Sequence, residues 1–171
     1  MTFPILSFLI LLPLVGSLFI FFIKNSEQNK SIKSVSIFIS LANLVLAIYL
    51  WIIFDKTLSK FQFVENREWI LGLVNYKVGI DGISILFVLL TALITPLCVL
   101  SVIFSVKYRL KDFVISILVM ESLMIGVFCS LDLVVFYLFF EGGLIPMFLI
   151  IGIWGGNKRV YSAFKFFLYT L

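Results

Sequence analysis

The sequence predicts an all-α, polytopic bundle of transmembrane helices, and three observations carry that prediction. Of its 171 residues, 63% are hydrophobic, whereas a soluble domain is about half apolar. The mean hydropathy is +1.22, a surplus that a water-soluble core of this size cannot hide. The apolar residues also run in long blocks. A spanning helix needs about 20 of them to cross a hydrocarbon core about 30 Å thick.

Five blocks are long enough: Phe3–Ile23, Ser34–Phe54, Gly79–Ser105, Phe113–Leu131 and Leu133–Trp154. The first lacks a basic n-region and is long enough to span, so it is expected to stay in the membrane rather than be cleaved. Pro4 is expected at its start, where a missing N–H is tolerated; Pro13 falls inside. The third carries Pro96 at mid-span. The fifth carries Gly142, Gly143 and Pro146 directly after Glu141. Glycine lets helices approach closely, and proline frees a carbonyl and favours a kink. A sixth run starts at Val160 and reaches Leu171. At 1.5 Å per residue it is about 18 Å long, shorter than the membrane. The chain is therefore expected to be one transmembrane domain, residues 1–171, incomplete at its C-terminus.

The loops set the expected orientation. With the N-terminus outside, the inner side holds Lys24, Lys30 and Lys33, then Lys107, Arg109 and Lys111, then Lys158 and Arg159. The outer side holds Lys56, Lys60, Arg67 and Lys77, diluted by Asp55, Glu65 and Glu68. Basic residues favour the inner side, so N-out is expected. The same topology accounts for the net charge of +4, so the expected surroundings are a lipid bilayer and not a nucleic acid. The one sizeable polar loop, DKTLSKFQFVENREWILGLVNYKV, is expected to form short strands or lie along the interface over Trp69–Val78.

Several chemistries find no residues to run on. There is no histidine, the commonest metal ligand and the usual haem ligand. No glycine-rich phosphate loop or metal-spaced Cys/His cluster is present. Cys98 and Cys129 lie inside apolar segments and read as small buried hydrophobes, not a disulfide. No cofactor and no metal are expected on this chain, and no redox chemistry.

The ionisable residues inside the spans are the candidate functional residues. Glu141 sits near the middle of the fifth, in FYLFFEGGLIPMFLI. A charge at that depth costs about 2.5–3.5 kcal/mol on insertion scales, and burial favours the neutral form of a carboxyl group. A carboxyl group poised in this way suits a proton carrier; the alternative is a glutamate that only ties two helices together. Glu121 lies in the fourth span, in LVMESLMIG. Counted from the turn at Asp132, Glu121 and Glu141 lie about 16 and 14 Å deep. On neighbouring antiparallel helices they thus reach one level, facing each other or a shared water-filled cavity; spacing does not fix their rotation. Asp132, at the hairpin tip, is expected to serve the turn or a cap. Asp81 is expected to cap the start of the third helix. Lys165 is expected to snorkel to the inner interface; pairing with a buried glutamate is its alternative.

Two long motifs resemble a known family. The run LDLVVFYLFFEGGLIPMFLIIGIWGG, followed by RVYSAFKFFLYTL, is similar to the subunit M/subunit 4 family of respiratory complex I, the NADH–quinone oxidoreductase. VGIDGISILFVLLTALITPLCVLS looks like that family's third-helix signature. The likeness runs from about Gly79 to Leu171, and the earlier helices are compatible with it. It implies the N-terminal part of an antiporter-like, proton-translocating subunit. The membrane would be a bacterial cytoplasmic or mitochondrial inner one, and the partners other membrane-arm subunits. It implies that Glu141 matches the family's fifth-helix glutamate of the proton path, working with a lysine on a later helix. Phe140 departs from the tryptophan the family often has there. NADH, FMN, iron–sulfur clusters and quinone would belong to other subunits. Two further readings stand beside this one: a cation/proton antiporter without redox coupling, and a truncated structural piece without transport of its own.

Overall fold

The computed structural model describes residues 4–23, 30–58, 60–70, 74–106 and 108–171. Lys24 and Lys107, which entered the orientation argument, and Phe3, the expected start of the first span, lie outside them. The described chain runs α1 (Ile5–Phe22), α2 (Lys30–Ile53), β1 (Gln62–Ile70), β2 (Val74–Ile80), α3 (Ser84–Ser105), α4 (Leu110–Cys129), α5 (Leu133–Trp154) and α6 (Arg159–Thr170). Of these helices, α1 to α5 are long and apolar enough to cross a membrane; α6 has 12 residues.

Helix boundaries depart from the apolar blocks where polar residues continue a helix past the hydrocarbon. Helix α2 begins at Lys30 and not Ser34, and α4 at Leu110 and not Phe113. Lys33, Lys111 and Asp112 are cheap to hold in helix once water solvates them, so apolarity marks the membrane and not the helix. Helix α3 starts late because Gly79 and Ile80 complete β2. Asp81 then caps it as expected. Its carboxylate accepts from Ser84 N at 2.7 Å and Ile83 N at 3.1 Å, while the Ser84 hydroxyl accepts from Asp81 N at 2.8 Å. These bonds, with the Ser84 amide foremost, hold the Asp81 carboxyl below the usual carboxylate range. One reading of the cysteines is corrected: both are free and Cys129 is buried, but Cys98 lies exposed on the outer face of α3.

Helix α4 is the centre of the bundle and packs against α1, α3 and α5, while α2 sits between α1 and α3. The two strands pair antiparallel, with Glu65 opposite Val78 and Arg67 opposite Tyr76. The hairpin is stitched to the α4–α5 turn by a Val78–Ser130 bridge and a 2.9 Å bond from Leu131 N to Lys77 O.

Both ends of α1 are closed by residues from elsewhere. At its N-terminus Glu65 accepts from Leu6 N at 2.9 Å, from Ser7 N at 3.3 Å, and from the Ser7 hydroxyl. At its C-terminus the Lys111 ammonium donates to Phe21 O and Ile23 O, both at 2.7 Å. An acid at the first turn and a base at the last both complement the helix dipole. Tyr76 completes the upper cap, 3.1 Å from the Ser7 hydroxyl; burial, with nearby Glu65 adding, pushes its phenol above the ordinary value. Glu65→Ala is expected to cost about 1–2 kcal/mol and to expose α1 near Pro4 to protease in native membranes. Unchanged cleavage would show that the cap does not hold the helix.

Candidate functional site

The buried residues separate into two apolar clusters stacked along the helix axes. One joins Leu6, Leu9, Leu50, Val88, Ile125 and Cys129 beneath the hairpin; the other joins Ile20, Ile32, Val99, Val114 and Leu118 at the far end. Between them every helix of the set contributes small or polar buried residues: Ser17 on α1, Ser40 and Asn43 on α2, Thr95 on α3, and Glu121 and Ser122 on α4. This is a polar layer at mid-membrane. Ser17, Ser40 and Thr95 donate to carbonyls of their own helices, at 2.7, 3.0 and 3.0 Å, so they leave no donor unpaired. Ser122 donates across to Ile10 O at 2.5 Å.

Glu121 is the ionisable member of the layer, 2% exposed, and Asn43 beside it is fully buried. The Asn43 amide donates to Glu121 Oε1 at 2.8 Å. Among the described residues, Asn43 Oδ1 and Glu121 Oε2 have no hydrogen-bond partner.

Glu141 stands apart. The face of α5 that meets α4 is marked by Phe139 and Gly142. A Cβ on Gly126 would lie 2.6 Å from the Phe139 ring, and one on Gly142 would lie 3.3 Å from Leu123. Glu141 lies beside that face, partly buried, and accepts a 2.5 Å bond from Tyr137 one turn earlier. Tyr137 and Ile145, its helical neighbours, are exposed at 52% and 59%. Glu121 lies eight residues before the end of α4 and Glu141 eight after the start of α5, so the two share a depth. They do not share a hydrogen bond among the described residues: Glu121 turns to α2, and Glu141 is held on its own helix. The ion pair among those residues is Arg109–Asp112 at 2.7 Å; neither mid-span carboxyl group has a cation beside it. Among the described residues no three acidic or thiol groups gather as a metal site.

The remaining predicted residues sit at the surfaces. Asp132 is the N-cap of α5 and accepts from Val134 N at 2.9 Å and Val135 N at 3.2 Å. Asp132→Ala is expected to destabilise by about 0.5–2 kcal/mol, whereas Asp132→Asn keeps the cap. Proton transport lost in the asparagine variant would instead place Asp132 on the proton route. Lys165 is exposed, its ammonium 5.8 Å from the Tyr169 ring and 6.0 Å from that of Tyr161. It pairs with no glutamate among the described residues. Sequence reasoning missed Asn43. The signal was there: Ser36, Ser40 and Asn43 recur at helical spacing and are the polar residues of the run from Val35 to Ala47, and all three are buried.

Known proteins resemble this chain in sequence and fold. Residues 130–171 match the NADH:quinone oxidoreductase/Mrp antiporter transmembrane family. The NADH-ubiquinone oxidoreductase chain 4 of Marchantia polymorpha is 49% identical over 97% of this chain, which covers 34% of that protein. The NADH-quinone oxidoreductase subunit M of Rhodobacter capsulatus is 48% identical over 97% of this chain, covering 33% of it. A chain of respiratory complex I from Thermus thermophilus superposes with a TM-score of 0.81 at 28% identity, across 96% of this chain and 32% of that one. The likeness thus extends beyond the two motifs to α1 and α2. Along nearly its whole length this chain is similar to the subunit M and chain 4 proteins of NADH–quinone oxidoreductases, and it spans about a third of theirs.

Proposed function

We propose that the chain supplies part of a proton path in the membrane arm of a proton-pumping NADH–quinone oxidoreductase. The observation that carries this reading is the pair of carboxyl groups, Glu121 and Glu141, at one depth in a five-span bundle. A carboxyl group held at mid-membrane can alternate between neutral and charged forms as its surroundings change. Glu141, open on one side of α5, meets the rest of the path; Glu121 is its buried companion. Lys165 and Asp132 support the two membrane surfaces. The N-terminus lies on the outer side, with the hairpin, and Lys111 and Arg159 lie on the inner side. Electron transfer with NADH, FMN, iron–sulfur clusters and quinone takes place on other subunits, and neighbouring membrane-arm subunits and lipid cover the apolar faces of this one.

The test is Glu141→Gln in the assembled complex, read as protons moved per electron. A loss with assembly intact supports the reading; normal pumping per electron overturns it. The matched family also spans Mrp antiporters, which favours cation/proton exchange without redox coupling as the second reading. Exchange driven by an imposed sodium gradient, in membranes given no NADH, would favour it over the first.

A further inference from the structure

The buried pair on α2 and α4 has an unfinished hydrogen-bond account. Asn43 offers two donors and one acceptor oxygen, and Glu121 has two oxygens. One bond joins them, from the Asn43 amide to Glu121 Oε1. Asn43 Oδ1 and Glu121 Oε2 are both buried, and neither has a partner among the described residues. Leaving a buried polar atom unpaired costs about 1–3 kcal/mol, and polar groups in protein interiors are ordinarily satisfied by protein or by ordered water. The neighbouring hydroxyls do not fill the gap, because Ser40 and Ser122 donate to backbone carbonyls.

We propose that Asn43 and Glu121 bind one water molecule between α2 and α4, held by Asn43 Oδ1 and Glu121 Oε2. The donor count works for either form of the glutamate. When Glu121 is ionised, the water donates one hydrogen to each oxygen. When Glu121 is protonated on Oε2, that hydroxyl donates to the water, and the water donates to Asn43 Oδ1. The Asn43 amide keeps its bond to Oε1 in both cases. By rotating, one water satisfies both the ionised and the protonated carboxyl group without either side chain moving. Asn43 is then a positioning residue for Glu121, and its use in transport rests on the proton-path reading above.

The test uses the assembled complex, with two readouts. The first is cryo-electron microscopy at a resolution that shows ordered water. Density is expected within hydrogen-bond reach of both oxygens in the native complex, and is expected to vanish in Asn43→Leu. The second is infrared difference spectroscopy of the protonated carboxyl group, its band assigned by its loss in Glu121→Gln. Asn43→Leu is expected to move that band to higher wavenumber, because Oε1 loses its donor. Asn43→Ser, which keeps a hydroxyl and makes room for water, is expected to hold it near the native position and serves if the leucine variant does not assemble. Maps that resolve other buried waters but none here overturn the site. A band that stays fixed in Asn43→Leu overturns the positioning role, as does one that moves as far in Asn43→Ser as in Asn43→Leu. Normal pumping by Glu121→Gln would instead sink Glu121 as a proton carrier and leave the water site standing.

Discussion

Replacing Glu141 by glutamine is expected to lower the protons moved per electron several-fold while leaving the amount of assembled complex close to native. Glutamine has the same shape, and its side-chain oxygen accepts the Tyr137 hydroxyl as the carboxylate does. What it lacks is a titratable proton. The substitution therefore separates a carrier from a helix tie. Tyr137→Phe is the companion measurement: it leaves Glu141 able to titrate but removes its donor. Pumping is expected to fall less in Tyr137→Phe than in Glu141→Gln. Equal losses would mean that the bond itself, and not the proton, is what transport requires.

The second large effect is structural. Gly126→Val is expected to destabilise the α4–α5 contact by about 1–3 kcal/mol, the usual cost of overfilling a packed interface. The valine Cβ would lie 2.6 Å from Phe139 Cδ1 and 2.8 Å from its Cε1. The ring packs against the cluster beneath the hairpin and also borders a cavity with Leu123, Val135 and Leu138, so turning into it relieves part of the clash and the lower end of that range is expected. Less assembled complex and a lower inactivation temperature are expected. Gly143→Ala is the control, because a Cβ there meets nothing within 4 Å. A Gly126→Val complex as stable as the control would mean that α5 shifts freely on α4.

The fold was largely legible in the sequence, since bilayer thickness imposes its length on every span. Leu133–Trp154 emerges with the bounds its apolar block has, and the polar loop folds as strands. Rotation was not legible. In a soluble protein apolarity points inward, but a membrane helix is apolar toward both lipid and core. That is why Cys98, in surroundings as greasy as those of Cys129, turned out to face outward. The same ambiguity hid the divergence of Glu121 and Glu141, whose directions follow from how Phe139 meets Gly126. Asn43 and Glu121 are 78 positions apart. Composition alone has no means of pairing them, although the polar stripe on α2 marks one partner.

The double closure of α1 has a consequence for the order of biogenesis. This helix is made before the groups that complete it: Glu65 comes 58 residues after Ser7, and Lys111 comes 88 after Ile23. Until the hairpin and the start of α4 have been synthesised, the terminal amides and carbonyls of α1 must be satisfied by water or by the insertion machinery. Among the described helices, α1 is thus locked in place only once α4 has begun, and its docking reports that the hairpin and the start of α4 have arrived.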